Sequence, residues 1–530
     1  MSEVRRAPLW LALLCAVLGG LALDAATPWL AWWWAAPVGV ALVLAAVWQQ
    51  RAVVGLGIGA VAGAAFWGPH ISWLTLYLGP IPWLALTGAM LAWFALFGLA
   101  TAVATRGLSQ LPVSPGIRGA AQAVTAAALW VLREQVQSIM PYGGFAWGRL
   151  APTQAEGPWV SLVSWVGFAG LSGVIALASA FLVVAAWGAA AGASPRRLAG
   201  FVGAWSVAVL LLAAVPPAAL PEIGSLRVAA VQGNSKSGIF DDRESGDVLR
   251  DHLRATERLV VDLEASGESV DVIVWPENSA EFDLPGSAYA SRAVARLAER
   301  ANAPIVIGTI LRDPDGTYTN SSLVVTPEGV TGERYDKRRP VPFAEYMPDR
   351  AFYRALVPDL VDLVQLEYAF GARSAVIEVP VTQPSAAVSL VRAGIAICFD
   401  IIFDDHAVEM ARDGAQVIFA QTNNADFGRT DESAQQLQIA RLRAVEMGRA
   451  LINISTVGTS AIVAPDGRSL ATLTPFTSAA MVADVPLVSG ETPALRVGAA
   501  VAGIWILLAV VGVVAGALTP LVRRDDRAGT

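Results

Sequence analysis

Lysine, cysteine and histidine are nearly missing from this chain. Only two of its 37 basic residues are lysines, Lys236 and Lys337; the cysteines are Cys15 and Cys398, and the histidines His70, His252 and His406. Each scarcity excludes something. Two cysteines so far apart build no disulfide framework. Three scattered histidines make no metal site, and no cofactor is implied. Charged residues are 15% of the 530 positions and the net charge is −7, which offers nucleic acid no basic surface. A chain that writes its positive charge as arginine has nevertheless kept an amine at Lys337. Arginine cannot copy a compact, deprotonatable ammonium.

What is abundant is apolar. Hydrophobic residues make up 55% of the sequence, with 18 tryptophans, and the mean hydropathy is +0.53. They fill roughly the first 220 positions and a stretch from about 495 to 521, with the charges concentrated between. Runs near the ~20 residues a bilayer requires lie at roughly 8–24, 27–49, 52–74, 81–105, 119–138, 158–190, 198–218 and 497–521. Arginines then alternate between loops. Arg5 and Arg6, Arg51, Arg106 and Arg118, Arg196 and Arg197, and Arg523, Arg524 and Arg527 all fall on one side; Arg149 alone lies on the other. By the positive-inside rule both termini are cytoplasmic. The expected organisation is therefore a bundle of about seven helices over 1–220, an extracytoplasmic domain over 221–494, an eighth membrane helix over 495–522 and a cytoplasmic tail over 523–530. Trp32, Trp33, Trp34, Trp73 and Trp83, near span ends, are expected as interfacial anchors. Residues 142–148, rich in glycine and aromatics, read as a lipid-entry segment or a re-entrant turn.

The polar region alternates strand and helix. Residues 227–232, 270–275, 303–310 and 321–325 read as strands, the last turning at Pro327-Glu328-Gly329 into another, with helices over 246–267 and 288–301. Further strands are expected at 387–397 and 416–421 around a helix at 404–413, and a hairpin over 460–473 turning at Pro465-Asp466-Gly467. This is an α/β layered domain.

Three residues there carry chemical potential. Cys398 ends the apolar run Gly394-Ile395-Ala396-Ile397 at a strand-to-helix turn, where helix N-termini and cations lower a thiol's pKa. It reads equally as a buried, inert thiol. Glu277, closing Val272-Ile273-Val274-Trp275-Pro276, is poorly solvated and suited to exchange a proton with a thiol, or is a helix-capping acid. Lys337 can stabilise an oxyanion, or is a solvated lysine beside Arg338 and Arg339.

Trp275-Pro276-Glu277, Tyr335-Asp336-Lys337-Arg338-Arg339-Pro340-Val341-Pro342-Phe343-Ala344-Glu345 and Ile397-Cys398-Phe399-Asp400 resemble the three signatures of the nitrilase, or carbon–nitrogen hydrolase, superfamily. With about eight spans around that domain, the chain resembles the branch of bacterial apolipoprotein N-acyltransferases. The resemblance implies an αββα sandwich beside a membrane α-helical bundle in the bacterial cytoplasmic (inner) membrane. It implies Cys398 as the nucleophile, Glu277 as the general base, Lys337 as the oxyanion stabiliser and Glu345 as a supporting glutamate. Asn423, within Thr422-Asn423-Asn424, matches the loop that follows these signatures in the family. The family commonly has a tyrosine and a glutamate where this chain has Phe399 and Asp400, and a tryptophan where it has Ala425-Asp426.

The implied reaction has two steps. A phospholipid donates a fatty acyl chain to Cys398 as a thioester, and the α-amine of a diacylglyceryl apolipoprotein accepts it as an amide. A covalent intermediate divides one hard exchange into two easier ones. The partners are thus phospholipid, apolipoprotein and bilayer, with the protein acting as a monomer. The alternatives are a membrane-anchored amidase using water as acceptor, and a catalytically silent scaffold that retains the fold.

Overall fold

The ends of three strands place the candidate residues of this chain. The computed structural model describes residues 6–28, 30–239, 241–381 and 389–528, with side chains as far as Thr519. Arg5, the side chains of Arg523, Arg524 and Arg527, and positions 387 and 388 of the expected strand lie outside the described residues. The chain forms two units, Met1–Pro217 with Arg496–Thr530, and Ala218–Leu495.

In the first unit, five helices are long and apolar enough to cross a membrane: Ala52–His70, Pro80–Leu108, Val160–Ala190, Pro195–Ala213 and Pro493–Thr519. Three of the eight expected segments fall outside that set. The first helix, Leu9–Ala25, has 17 residues. In the second, helix covers only Ala35–Val47, since Pro28 disfavours helix at the preceding residue and Ala31 adopts a φ of 53°. Pro115–Gln137 is long but not apolar enough. It buries an Arg133–Glu134 ion pair of 3.4 Å, and Glu134 Oε1 accepts from Trp130 Nε1 and the Leu150 amide, both at 2.9 Å. The last helix continues to Ala528, through the expected tail. Trp73 is buried, packing on Trp147 at 5.9 Å, unlike an interfacial anchor; Trp32 and Trp34 are exposed and stacked. Phe145 and Trp147 of the 142–148 segment stack on each other at 5.8 Å.

The second unit has twelve strands: β1 Glu222–Gln232, β2 Val272–Val274, β3 Ile305–Arg312, β4 Tyr318–Thr326, β5 Gly329–Asp336, β6 Val376–Pro380, β7 Leu390–Ile397, β8 Val417–Thr422, β9 Leu451–Ser455, β10 Ser460–Val463, β11 Ser469–Leu473 and β12 Ala479–Val488. They form two six-stranded mixed sheets, ordered β12-β1-β2-β3-β4-β5 and β11-β10-β9-β8-β7-β6. In each, three central strands run parallel and the outer ones antiparallel.

Helices Asp247–Ser266 and Ala288–Ala301 cover the first sheet. Leu249, with Leu259 and Leu263, and Val294 and Ala298, the last two pairs four residues apart, pack on Ile273, Ile305 and Ile307 in one core. Gly267 and Asn302 end these helices in the left-handed conformation. Asp404–Arg412 and Glu432–Met447 are the long helices between strands of the second sheet. Side chains tie the sheets together. Gln421 Nε2 donates to Trp275 O at 2.6 Å, Ser460 Oγ to Gln232 Oε1 at 2.7 Å, and Tyr335 Oη to Asp400 Oδ2 at 2.7 Å.

Candidate active site

Glu277, Lys337 and Cys398 each follow a strand's carboxyl end, where parallel sheets commonly place their ligand-binding loops. Glu277 comes three residues after β2, Lys337 directly after β5 and Cys398 directly after β7. Two glycines permit this. A Cβ on Gly308 of β3 would lie 2.6 Å from Pro276 O and 2.8 Å from Glu277 Cα. One on Gly371 would lie 2.0 Å from Asp336 O, and its amide donates to Lys337 O at 2.9 Å. The backbones carrying Glu277 and Lys337 therefore sit against bare glycine.

Lys337 is 1% exposed and Glu277 3%, which disposes of a solvated lysine. The Lys337 ammonium donates to Glu277 Oε1 at 3.2 Å and to Glu345 Oε1 at 2.9 Å. Asn320 Nδ2 reaches the same two acids, at 2.7 Å and 3.2 Å. The Val341 amide holds the second oxygen of Glu345 at 2.7 Å. Burial alone would discharge Lys337, but the Glu277 and Glu345 charges outweigh it and hold its pKa well above the usual ammonium value. Glu277 is pushed upward, by burial foremost. Lys337 opposes that rise, Glu345 adds to it, and the Asn320 hydrogen bond opposes it. The result is a carboxylate that accepts a proton readily.

Cys398 adopts φ of 50°, a left-handed conformation costly for a residue with a Cβ. The chain turns there into a 3-10 turn over Cys398–Ile402 and then the helix Asp404–Arg412. Three contacts hold that turn. Asp400, fully buried, accepts from the Ile397 amide at 3.2 Å and the Arg339 amide at 2.9 Å as well as from Tyr335. Arg443 donates to the Ile401 and Ile402 carbonyls at 3.1 and 2.8 Å. Phe399 is buried edge-on against Phe403. Asp400 thus ties the turn to the strand end bearing Lys337, which gives this shorter acid a positioning task.

The thiol is not lowered, as its turn and nearby cation would suggest. Burial raises it well above its usual value, Glu277 adds to that, Lys337 opposes it, and Glu432 and Glu345 raise it further. At rest the sulfur is a neutral thiol that keeps partial exposure. Thiolate forms only as its proton moves to an acceptor.

Asn423 has a different set of hydrogen-bond partners. Its Oδ1 accepts from Ser237 Oγ at 2.9 Å and Thr456 Oγ1 at 2.7 Å, and its Nδ2 donates to Ser237 O at 3.0 Å, so it fastens a surface loop. Sequence reading passed over Asn320, which joins both acids, and Tyr335, which joins Asp400. The signal for Asn320 was the polar half of Tyr318-Thr319-Asn320-Ser321-Ser322, continuing into apolar Leu323-Val324-Val325 within one strand.

The unit holding this cluster, residues 227–492, matches the family model of the carbon–nitrogen hydrolases. Residues 19–181 match the apolipoprotein N-acyltransferase N-terminal domain. The chain belongs to the apolipoprotein N-acyltransferase family of that superfamily. An apolipoprotein N-acyltransferase of Mycolicibacterium smegmatis is 32% identical over 526 residues, covering 93% of this chain and 83% of that one. One from Pseudomonas aeruginosa is 29% identical over 401 residues, 74% of each chain, and one from Ralstonia nicotianae 28% over 498 residues, 90% and 89%.

Proposed function

We propose that this protein is an acyltransferase that N-acylates apolipoproteins, drawing the acyl chain from a phospholipid and carrying it on Cys398. The observation that carries the reading is the buried Lys337 ammonium shared by Glu277 and Glu345, set against a neutral thiol at a strained turn. In the first step Glu277 takes the Cys398 proton and the sulfur attacks the phospholipid ester. Lys337 stabilises the oxyanion in a site screened from water, where a fixed cation is most effective. The lysophospholipid oxygen then leaves with the proton from Glu277. In the second step the α-amine of the diacylglyceryl-cysteine attacks the thioester, the amide forms, the C–S bond breaks and the amine's proton passes to the sulfur through Glu277. Glu345 holds Lys337; Asp400 and Phe399 hold the sulfur's turn; Asn423 shapes the adjoining loop.

The two six-stranded sheets and their helices support an αββα sandwich. The alternating arginines support eight crossings of the bacterial cytoplasmic membrane, with 221–494 outside the cytoplasm, flanked by membrane segments 1–220 and 495–522. Both substrates are held in the bilayer by acyl chains, so a membrane-anchored monomer brings the site to them without desorbing either.

The test is trapping. Purified protein incubated with phospholipid should gain the mass of one acyl chain, labile to hydroxylamine, and Cys398→Ala should not. An adduct that survives the substitution removes Cys398 from the mechanism. Adding a diacylglyceryl peptide should discharge the adduct as N-acyl peptide; free fatty acid alone would make the protein a hydrolase.

A further inference from the structure

One buried acid near the sulfur has no part in those steps. Glu432, in the first turn of Glu432–Met447, is 4% exposed. Its Oε2 accepts from Asn424 Nδ2 at 2.9 Å. That amide is fixed on every side: it also donates to Gln436 Oε1 at 2.9 Å, and its Oδ1 accepts from Thr422 Oγ1 at 3.0 Å and Ser455 Oγ at 2.7 Å. The other oxygen, Oε1, accepts no hydrogen bond from the described residues. The sheet register says where this anchor stands. β7 and β8 pair in parallel with Ile397 opposite Gln421, so Thr422 lies beside Cys398 and Asn424 two residues further on. Consistently, the Glu432 charge raises the Cys398 thiol, and the Glu277 charge acts on Glu432.

A glutamine at 432 would satisfy the Asn424 amide through its carbonyl and avoid burying a charge. The chain keeps an ionisable group instead. The amine acceptor supplies a use for it, because an α-amino group titrates near about 8 and arrives mostly as an ammonium, which has no lone pair to attack with.

We propose that Glu432 is the acid–base group serving the incoming amine, while Glu277 serves the sulfur; this rests on the acyl-transfer reading above. Glu432 takes one proton from the α-ammonium, and the freed lone pair attacks the thioester carbonyl. As the C–N bond forms and the C–S bond breaks, a second N–H proton passes to Glu277 and on to the departing sulfur. Glu432 then releases its proton to water. Burial pushes the Glu432 carboxyl up to about 8, helped by Asp431 and Glu277 and opposed by the Asn424 hydrogen bond. That value matches the ammonium it would deprotonate, the condition under which general-base transfer works best. The titratable groups that act on it are Asp431, Glu277 and Cys398, and the last is silenced once acylated.

The experiment separates the half-reactions in full-length protein in detergent–phospholipid micelles. Glu432→Gln should form the acyl adduct no more slowly than wild type, since a charge that raises the thiol is gone. It should pass the chain to a diacylglyceryl peptide about 100-fold more slowly, the scale of a lost general base. Glu432→Asp should recover part of that, and the deficit of Glu432→Gln should shrink as pH rises past the amine's own ionisation, where the free base arrives without help. Equal slowing of both halves, or normal transfer by Glu432→Gln, overturns the inference. A wild-type protein that forms no adduct overturns the acyl-transfer reading instead. Should Glu432→Gln fail to fold, Asn424→Asp, which turns a donor into a repelling acid beside Glu432, should raise the pH at which transfer sets in; no displacement there overturns the inference.

Discussion

Lys337 has two acids and one amide for neighbours and 1% of its surface exposed, so the space is cut to a slender ammonium. Lys337→Arg keeps the charge but brings a flat, wider head that cannot occupy the same point between Glu277 and Glu345. Adduct formation should fall at least about 100-fold, as for loss of an oxyanion donor, measured as the burst of lysophospholipid. Glu277 yields a pH prediction. As the proposed base it must be unprotonated to act, and burial raises its pKa, so activity should fall as pH drops through a value above the usual ~4.3 for glutamate. Asn320→Ala removes a hydrogen bond that favours the ionised form and should move that acid limb to higher pH, with the rate recovering on the alkaline side. A limb that stays put would show that Asn320 does not touch the titrating group.

At the scale of elements, position depends on close backbone approach. Gly308→Val places carbon where Pro276 O and Glu277 Cα already sit and should abolish adduct formation. Gly332→Ala on β5, with open space around it, should leave it unchanged. Much of this frame was legible in sequence. β3, β8, the helix Ala288–Ala301 and the β10–β11 hairpin follow their apolar runs and turn residues closely. β12 was not, because Asp484 and Pro486 interrupt its alternation; only antiparallel pairing with β1, Leu226 opposite Val485, makes it a strand. Glu432 was hidden for a related reason. Arg429-Thr430-Asp431-Glu432-Ser433 reads as a solvated polar loop, and burial by distant strands is not a local property. The candidate triad was readable because each member follows a strand with a short, distinctive motif; Asn320, which bonds Glu277 from β4, carries no such motif.

For the whole molecule, Glu432 links pH to stability. Unfolded, it loses its proton near the ordinary glutamate value; folded, it keeps it to about 8. Between those values the native state binds more protons, so stability falls as pH rises through that window. Thermal unfolding of wild type should therefore lose ground to Glu432→Gln from about pH 5 to pH 8 and run parallel above it. Sidedness is testable too. A cysteine placed at the exposed Tyr289, 74% accessible, in a Cys15→Ala, Cys398→Ala background should react with an impermeant maleimide on intact spheroplasts. Labelling only after lysis would put residues 221–494 in the cytosol. Finally, the positive φ of Cys398 sets two substitutions there apart. Alanine there must still endure a twist its methyl resists, whereas glycine adopts it freely. Cys398→Gly should melt above Cys398→Ala, the gap recording how far the fold is bent, at rest, toward its reactive pose.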